Sequence, residues 1–175
     1  MTGAGPTVSA TEPDWSREYK RPFAWDPSRS LLAAIRSYQR SRHPIRRKWA
    51  VLRHRFWAAV TGADIPINAK IGGGLLMPHP NGIVVHSDAQ IGPNCLLMQQ
   101  VTLGATEVGA PRLMGHVDCG AGAKILGPVT LQEHCKVGAN AVVLTDVPAG
   151  ATAVGVPAKI RPASHNPDDP DPRPA

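Results

Sequence analysis

The stretch Cys119–Ala149, CGAGAKILGPVTLQEHCKVGANAVVLTDVPA, decides the fold. Cys119, Ile125, Leu131, Val137, Val143 and Ala149 recur in five consecutive steps of six. Four positions after each comes another small or aliphatic residue: Ala123, Val129, Cys135, Ala141, Val147 and Ala153. A period this short marks a solenoid in which each repeat is one flat side of a coil. The same beat is present upstream at Ile65 and Ile71, and again at Val85, Ile91, Leu97 and Leu103.

Three irregularities break the phase. Two extra residues fall near Met77-Pro-His-Pro-Asn-Gly82, and a loop bulges out around Gly104 to Gly115. After Ala149 the beat ends at Gly155-Val156-Pro157-Ala158-Lys159. Short strands in such a coil bond to the coils above and below, and the turns between them need Gly, Asn or Asp. Gly82, Asn94, Gly120, Gly138 and Asn140 are placed for that.

Composition marks the boundary of the solenoid. All eight aromatics precede residue 58, so the coil builds its core from Val, Ile, Leu, Ala and Cys. At 175 residues the chain is one domain with a small appendage. Residues 1–26 are rich in Pro, Gly and polar residues and are expected to be flexible. A short helical segment follows over 27–62. Its first helix runs from Pro27 to about Arg42, with Asp26 as N-cap and Leu31, Leu32, Ile35 and Tyr38 on one face. His43-Pro44 breaks it, and a second helix fits Ile45 to about Val60, with Trp49, Leu52, Phe56 and Trp57 on one face. The solenoid then occupies 63–161, and the Pro- and Asp-rich tail 162–175 reads as disordered.

Cys95, Cys119 and Cys135 are odd in number and fall on inward positions, which reads as buried reduced thiols and a cytoplasmic protein. The N-terminus carries an acid and lacks both a basic and an apolar region, unlike a secretory signal. No stretch approaches the roughly 20 apolar residues of a membrane span. The net charge of +6 concentrates in residues 29–55, which hold nine Lys and Arg, while no acid lies between Asp26 and Asp64. No nucleic-acid motif accompanies that charge, so it reads as a solvated helix face with no nucleic acid as partner, and the lack of a span points to no membrane partner.

The beat with its breaks resembles the hexapeptide-repeat acyltransferases and, within them, the serine O-acetyltransferase family. The matching strings are Asp64-Ile65, Ala69-Lys70-Ile71-Gly72, His79, Gly82-Ile83-Val84-Val85, Gln99, Val101-Thr102-Leu103-Gly104 and Gly120-Ala121-Gly122-Ala123-Lys124-Ile125-Leu126-Gly127. Val137 to Asn140, Val142-Val143-Leu144, Asp146-Val147-Pro148 and Val154-Gly155-Val156-Pro157-Ala158 match as well. The resemblance covers well over half the chain. It implies a mainly β fold, a left-handed parallel β-helix preceded by the short helical segment. It also implies acetyl-CoA as co-substrate with no metal, and a homotrimer with active sites between subunits.

By the same resemblance His79 is the general base and Asp64 the carboxylate that orients it. The chemistry is sound on its own terms. A hydroxyl is a poor nucleophile at neutral pH, and an imidazole can take its proton during attack on a thioester. Ala105, Ala121 and Ala139 stand where the family lines the acyl-CoA groove. Lys124, Lys136, Lys159 and Arg161 are candidates for the CoA phosphates by simple charge.

The departures from the family concern the acceptor. The acidic residue before the base is Pro78 here, and the family's Arg-His-Pro string is Gly109-Ala110-Pro111. Losing those groups leaves a zwitterion unpaired, which is costly. Gln99, Arg112, His116 and Glu107 are the candidate replacements. The expected reaction is acetyl transfer to a hydroxyl of a small serine-like acceptor. The alternatives are N- or O-acylation of a sugar or biosynthetic intermediate, and a non-catalytic trimeric solenoid. A zinc-binding carbonic-anhydrase-like coil using His79, His86 and His116 is a further rival. The helical segment is shorter than in typical members, which points to a trimer, and the C-terminus lacks the Ile with which the family docks on its sulfhydrylase, so no such complex is expected.

Overall fold

A computed structural model describes residues 8–21 and 23–163; the remainder of the expected loose N-terminus and nearly all of the expected disordered tail lie outside the described residues. Residues 64–161 wind into a left-handed parallel β-helix of about five turns with a triangular cross-section. Face A stacks β2 (Val84–Val85), β5 (Thr102–Gly104), β8 (Lys124–Leu126) and β11 (Val142–Val143), with Asp64 bridged to Val84 at its start. Face B stacks β1 (Lys70–Ile71), β3 (Gln90–Ile91), β6 (Arg112–Leu113) and β9 (Thr130–Leu131). Face C stacks β4 (Leu96–Leu97), β7 (Asp118–Cys119), β10 (Lys136–Val137) and β12 (Thr152–Val154), and β13 (Lys159–Arg161) folds back antiparallel on β12.

The six-residue beat gives two inward side chains per face at each coil, a lead residue and the small or aliphatic residue two before it. The lead residues from Cys119 to Val143 are all buried, and so are Val85, Ile91, Leu97 and Leu103 upstream. Parallel pairing then stacks like on like, so Leu103 sits beside Ile125 and Leu97 beside Cys119. The first break holds as read: Met77 is buried and the next lead residue is Val85, eight positions on. The second break is narrower than Gly104 to Gly115. It spans the loop after Gly104 and closes at Arg112, where face B resumes.

The last step of the beat differs from the sequence reading. Val147, not Ala149, bridges Leu131, and Ala153 pairs with Val137. Val147 is fully buried and Ala149 is exposed. The last coil is therefore 16 residues, from 137 to 153, instead of 18. The Asp146 carboxylate stabilises the tighter corner by accepting from Thr130 N–H at 2.6 Å.

α1 (Pro27–Arg40) and α2 (Pro44–Thr61) lie against the first coil. Asp26 caps α1 as expected, its carboxylate accepting from Arg29 N–H at 3.0 Å. Leu31, Leu32 and Ile35 enter the same core as the coil. Gly62 ends α2 in the left-handed conformation at φ 65°. His54 Nε2 meets Ile65 O at 2.8 Å, and Trp57 and Ala58 pack on the core.

Residues 8–21, expected to be flexible, lie along the corner between faces B and C. The Asn94 side chain is completely buried there. It accepts from Asp14 N–H at 2.8 Å and donates to Ser9 O at 2.7 Å and Glu12 O at 2.8 Å. Gly115 gives the segment room, because a Cβ there would collide with the Ala10 carbonyl. Further on, Glu18 accepts from Gly74 N–H at 2.8 Å and forms a two-pronged pair with Arg36 at 2.8 and 3.1 Å. Arg36 donates on to Ile71 O and Gly72 O, both at 2.6 Å. These long-range polar contacts, rather than composition, fix the segment.

Burial acts on the three thiols. It pushes Cys95 up to about 11 and Cys135 up to about 12, and raises Cys119 as well. Each thiol stays neutral in the fold after the unfolded chain would have lost its proton near the ordinary value of 9.0. Stability is therefore retained below about pH 9 and falls as pH rises above it. A thiol reagent at pH 8 is expected to label none of the three until denaturant is added; rapid labelling of the native chain would show that the coil is not packed this way. Asn94→Gly keeps the backbone geometry but removes three hydrogen bonds. It is expected to cost about 2–3 kcal/mol in thermal unfolding and to open residues 8–21 to proteolysis. Unchanged melting and cleavage would contradict that packing.

Candidate active site

The corner joining face C to face A is built from one residue type of backbone. Gly82, Gln100, Gly122 and Asn140 occupy equivalent positions in successive coils, with φ of 69°, 60°, 72° and 56°. Each is stitched to the coil before it. Gln100 N–H donates to Asn81 O at 2.9 Å, Gly122 N–H to Gln99 O at 2.8 Å and Asn140 N–H to Ala121 O at 2.8 Å. Gly122 is doubly required, because a side chain at that positive φ would also run into Asn140 Oδ1. The corner is thus a straight edge of hydrogen-bonded backbone carrying mostly small or polar side chains.

His79 stands at the start of this edge, in the two-residue break. The turn that carries it is tied to the coil entrance: Gly82 N–H donates to Gly62 O at 2.9 Å, Ile83 N–H to Pro80 O at 3.2 Å and Asp64 N–H to Ile83 O at 2.8 Å. Asp64 therefore lies beside the corner that holds His79. Both side chains are exposed in the single chain. His79 lines an open cleft of about 520 Å³ together with Trp25, Asp26, Val60, Pro78 and Asn81. The cleft is where the helical segment meets the coil.

Gln99, Ala121 and Ala139 follow His79 along the same corner in later coils. Gln99 has a buried Oε1 with no hydrogen-bond partner, an acceptor waiting for a donor. Lys124 reaches toward this corner from face A and donates to Gln100 O at 2.6 Å and Thr102 Oγ1 at 3.2 Å, so its ammonium is already partnered. Lys136 and Lys159 are exposed on face C and its return strand. Ala105 stands across face A, at the root of the loop. That loop closes on itself through Thr106 N–H to Gly109 O at 2.9 Å and Gly109 N–H to Thr106 O at 3.2 Å.

Two sequence candidates are not brought to His79 within one chain. Arg112 is exposed on face B, in a groove of about 610 Å³ shared with Lys70, Gln90 and the N-terminal segment. His116 sits on the corner between faces B and C, where its Nδ1 meets His134 Nδ1 at 2.7 Å, one ring donating to the other. Burial is the first cause holding the His116 imidazole below its ordinary value; the His134 charge adds to it and Asp118 opposes it. His79, His86 and His116 stand on three different corners, and among the described residues no three His, Cys, Asp or Glu side chains gather as metal ligands. Asn140, placed at a turn by the sequence, and Gln100, which the sequence reading missed, shape the edge with their left-handed backbone. The turn preference of Asn signals the first, and nothing in the sequence signals the second.

No family model matches the chain. Comparison with known proteins nevertheless gives a consistent picture. A serine acetyltransferase of Synechococcus elongatus is 40% identical over 81 residues, 44% of this chain and 33% of that protein. The resemblance is to serine acetyltransferases. Among solved structures, soybean serine acetyltransferase complexed with serine superposes with a TM-score of 0.64 at 40% identity, covering 77% of this chain and 56% of that one. A serine acetyltransferase in complex with CoA superposes with a TM-score of 0.64 at 36% identity, covering 77% of this chain and 55% of that one. The chain spans about a third of the first curated relative and somewhat over half of the solved ones.

The edge itself can be tested. Gly122→Ala places a methyl group at a positive φ and against Asn140, and is expected to lower stability by about 1–3 kcal/mol. Asn140→Gly removes the collision and is expected to recover part of that loss in the double variant. Additive effects in thermal unfolding would contradict the stacking of these two positions.

Proposed function

We propose that the chain is an acetyl-CoA-dependent acyltransferase that moves the acetyl group to a hydroxyl of a small acceptor. The observation that carries this reading is the placement of His79. It stands at the open end of the straight backbone edge that bears Ala121 and Ala139, in a fold that superposes on serine acetyltransferases bound to CoA and to serine. The extended donor lies along the edge, with backbone groups and small side chains as its wall. A homotrimer completes the groove, since one chain leaves Ala139, Asp64 and His79 exposed.

In this mechanism the His79 imidazole accepts the hydroxyl proton as the oxygen attacks the thioester carbonyl. Asp64, drawn onto the other ring nitrogen, fixes the tautomer and stabilises the imidazolium. Collapse of the tetrahedral intermediate breaks the carbon–sulfur bond. The imidazolium proton then passes to the departing thiolate. Gln99 Oε1 offers a hydrogen-bond acceptor on the same corner for a donor group of the acceptor molecule.

A second reading, acylation of a sugar or biosynthetic intermediate, is favoured by one specific feature. Residues 104–111 close into a tight loop whose only ionisable side chain is Glu107, and Pro78 precedes the base. That leaves no cation in the loop to hold a free amino acid's carboxylate. A panel of hydroxyl and amino acceptors, assayed by CoA release, separates the readings. His79→Asn is expected to lower kcat by about 10²–10⁴ with acetyl-CoA binding retained. Full activity of that variant would refute the proposed base, and efficient turnover of free serine would refute the second reading.

A further inference from the structure

α2 turns its apolar face away from the protein. Ala50, Thr61, His54, Trp57 and Ala58 face inward, toward α1 and the first coil. Ile45, Trp49, Leu52, Phe56 and Val60 recur at steps of four, three, four and four, and so form one continuous row along the helix. They are between 41% and 62% exposed. The sequence pattern places Trp49, Leu52, Phe56 and Trp57 on one face; in the structure Trp57 turns in and the others do not. The ring of Phe56 meets Trp57 at 5.0 Å and Trp57 meets the exposed Trp25 at 5.5 Å, which extends the apolar surface beyond the helix.

The row has charged borders of one sign. Arg46 and Arg53, seven residues apart, line one side. Lys48 and Arg55, also seven apart, line the other, and all four are exposed. No acid occurs between Asp26 and Asp64 to neutralise them. Three other cations of this region are committed elsewhere: Arg36 is clamped by Glu18, Arg29 pairs with Asp26 and Arg47 stacks on Tyr38 at 4.0 Å.

We propose that this face of α2 is a docking surface for an anionic lipid bilayer, on which the helix lies in the plane of the interface. Charge complementarity selects the occupant. A second copy would bring eight like charges together around two apolar rows with no acid between them. An anionic bilayer satisfies both parts of the surface at once, with Trp, Phe and Leu entering the acyl boundary and the flanking cations at phosphate level. Their apolar stems allow those long side chains to reach outward while the row is immersed. The expectation of no membrane partner rested on the lack of a spanning segment, and indeed no helix among the described residues is long and apolar enough to cross a membrane. A helix that lies on the surface needs no such segment.

The test is sedimentation of the full chain with vesicles of phosphatidylcholine, with and without phosphatidylglycerol, at low and at physiological salt. Binding is expected only to vesicles containing phosphatidylglycerol, and to weaken as salt rises. Replacing Arg46, Lys48, Arg53 and Arg55 together by Gln is expected to weaken binding at least about a hundredfold. The pair Trp49→Ser and Phe56→Ser is expected to abolish it, with circular dichroism and solution size unchanged because neither side chain belongs to the buried core. Absence of vesicle binding would overturn the proposal. So would a fall in oligomer size in the Ser pair, which would place the row between copies. Binding to polyglutamate but not to vesicles would overturn it in favour of an acidic protein partner.

Discussion

Everything in this structure depends on the vertical register of one coil upon the next. Short strands of two or three residues have little stability alone. They persist because each pairs in parallel with strands above and below, and because each inward side chain stacks on its counterpart. The pairing of Leu103 with Ile125 and of Leu97 with Cys119 expresses both constraints together. The same register aligns the corners, so four residues of left-handed backbone fall in one straight line from Gly82 to Asn140.

That line converts a packing rule into a chemical surface. A corner made largely of Gly, Ala, Asn and Gln carries no aromatic or branched aliphatic side chain to keep a long flexible ligand away, and its backbone geometry is fixed by bonds between coils. Chemistry then needs only one reactive group where the regular pattern is interrupted. His79 occupies that place because two extra residues push the chain out of the coil there. Under the proposed function, interruption of the pattern is how a fold of repeated aliphatic residues acquires a reactive side chain.

Much of this was legible in the sequence, for identifiable reasons. The coil follows from the period, the faces from the inward residues, and the break at His79 from the two-residue excess. The slip at the last coil was not legible. A coil two residues shorter exchanges the lead series with the series four positions on, and Val147 satisfies either. The docking of residues 8–21 was hidden because it rests on polar contacts between positions far apart in sequence, Asn94 with residues 9–14 and Glu18 with Arg36 and Gly74, and not on any periodicity. The outward face of α2 was hidden for a related reason. An apolar row announces that something covers it, but not whether the cover belongs to the same chain. The likeness to serine acetyltransferases supports the proposed site at His79, and under that proposal Pro78 and the Gly109-Ala110-Pro111 string mark where the acceptor side differs.

The central claim is that the corner from His79 to Asn140 is the wall along which the acyl donor lies. A crystal structure of the protein with CoA tests it most directly. The account predicts the pantetheine arm along Ala121 and Ala139, with its sulfur within contact of the His79 imidazole. CoA bound on another face, or with its sulfur remote from His79, would contradict it.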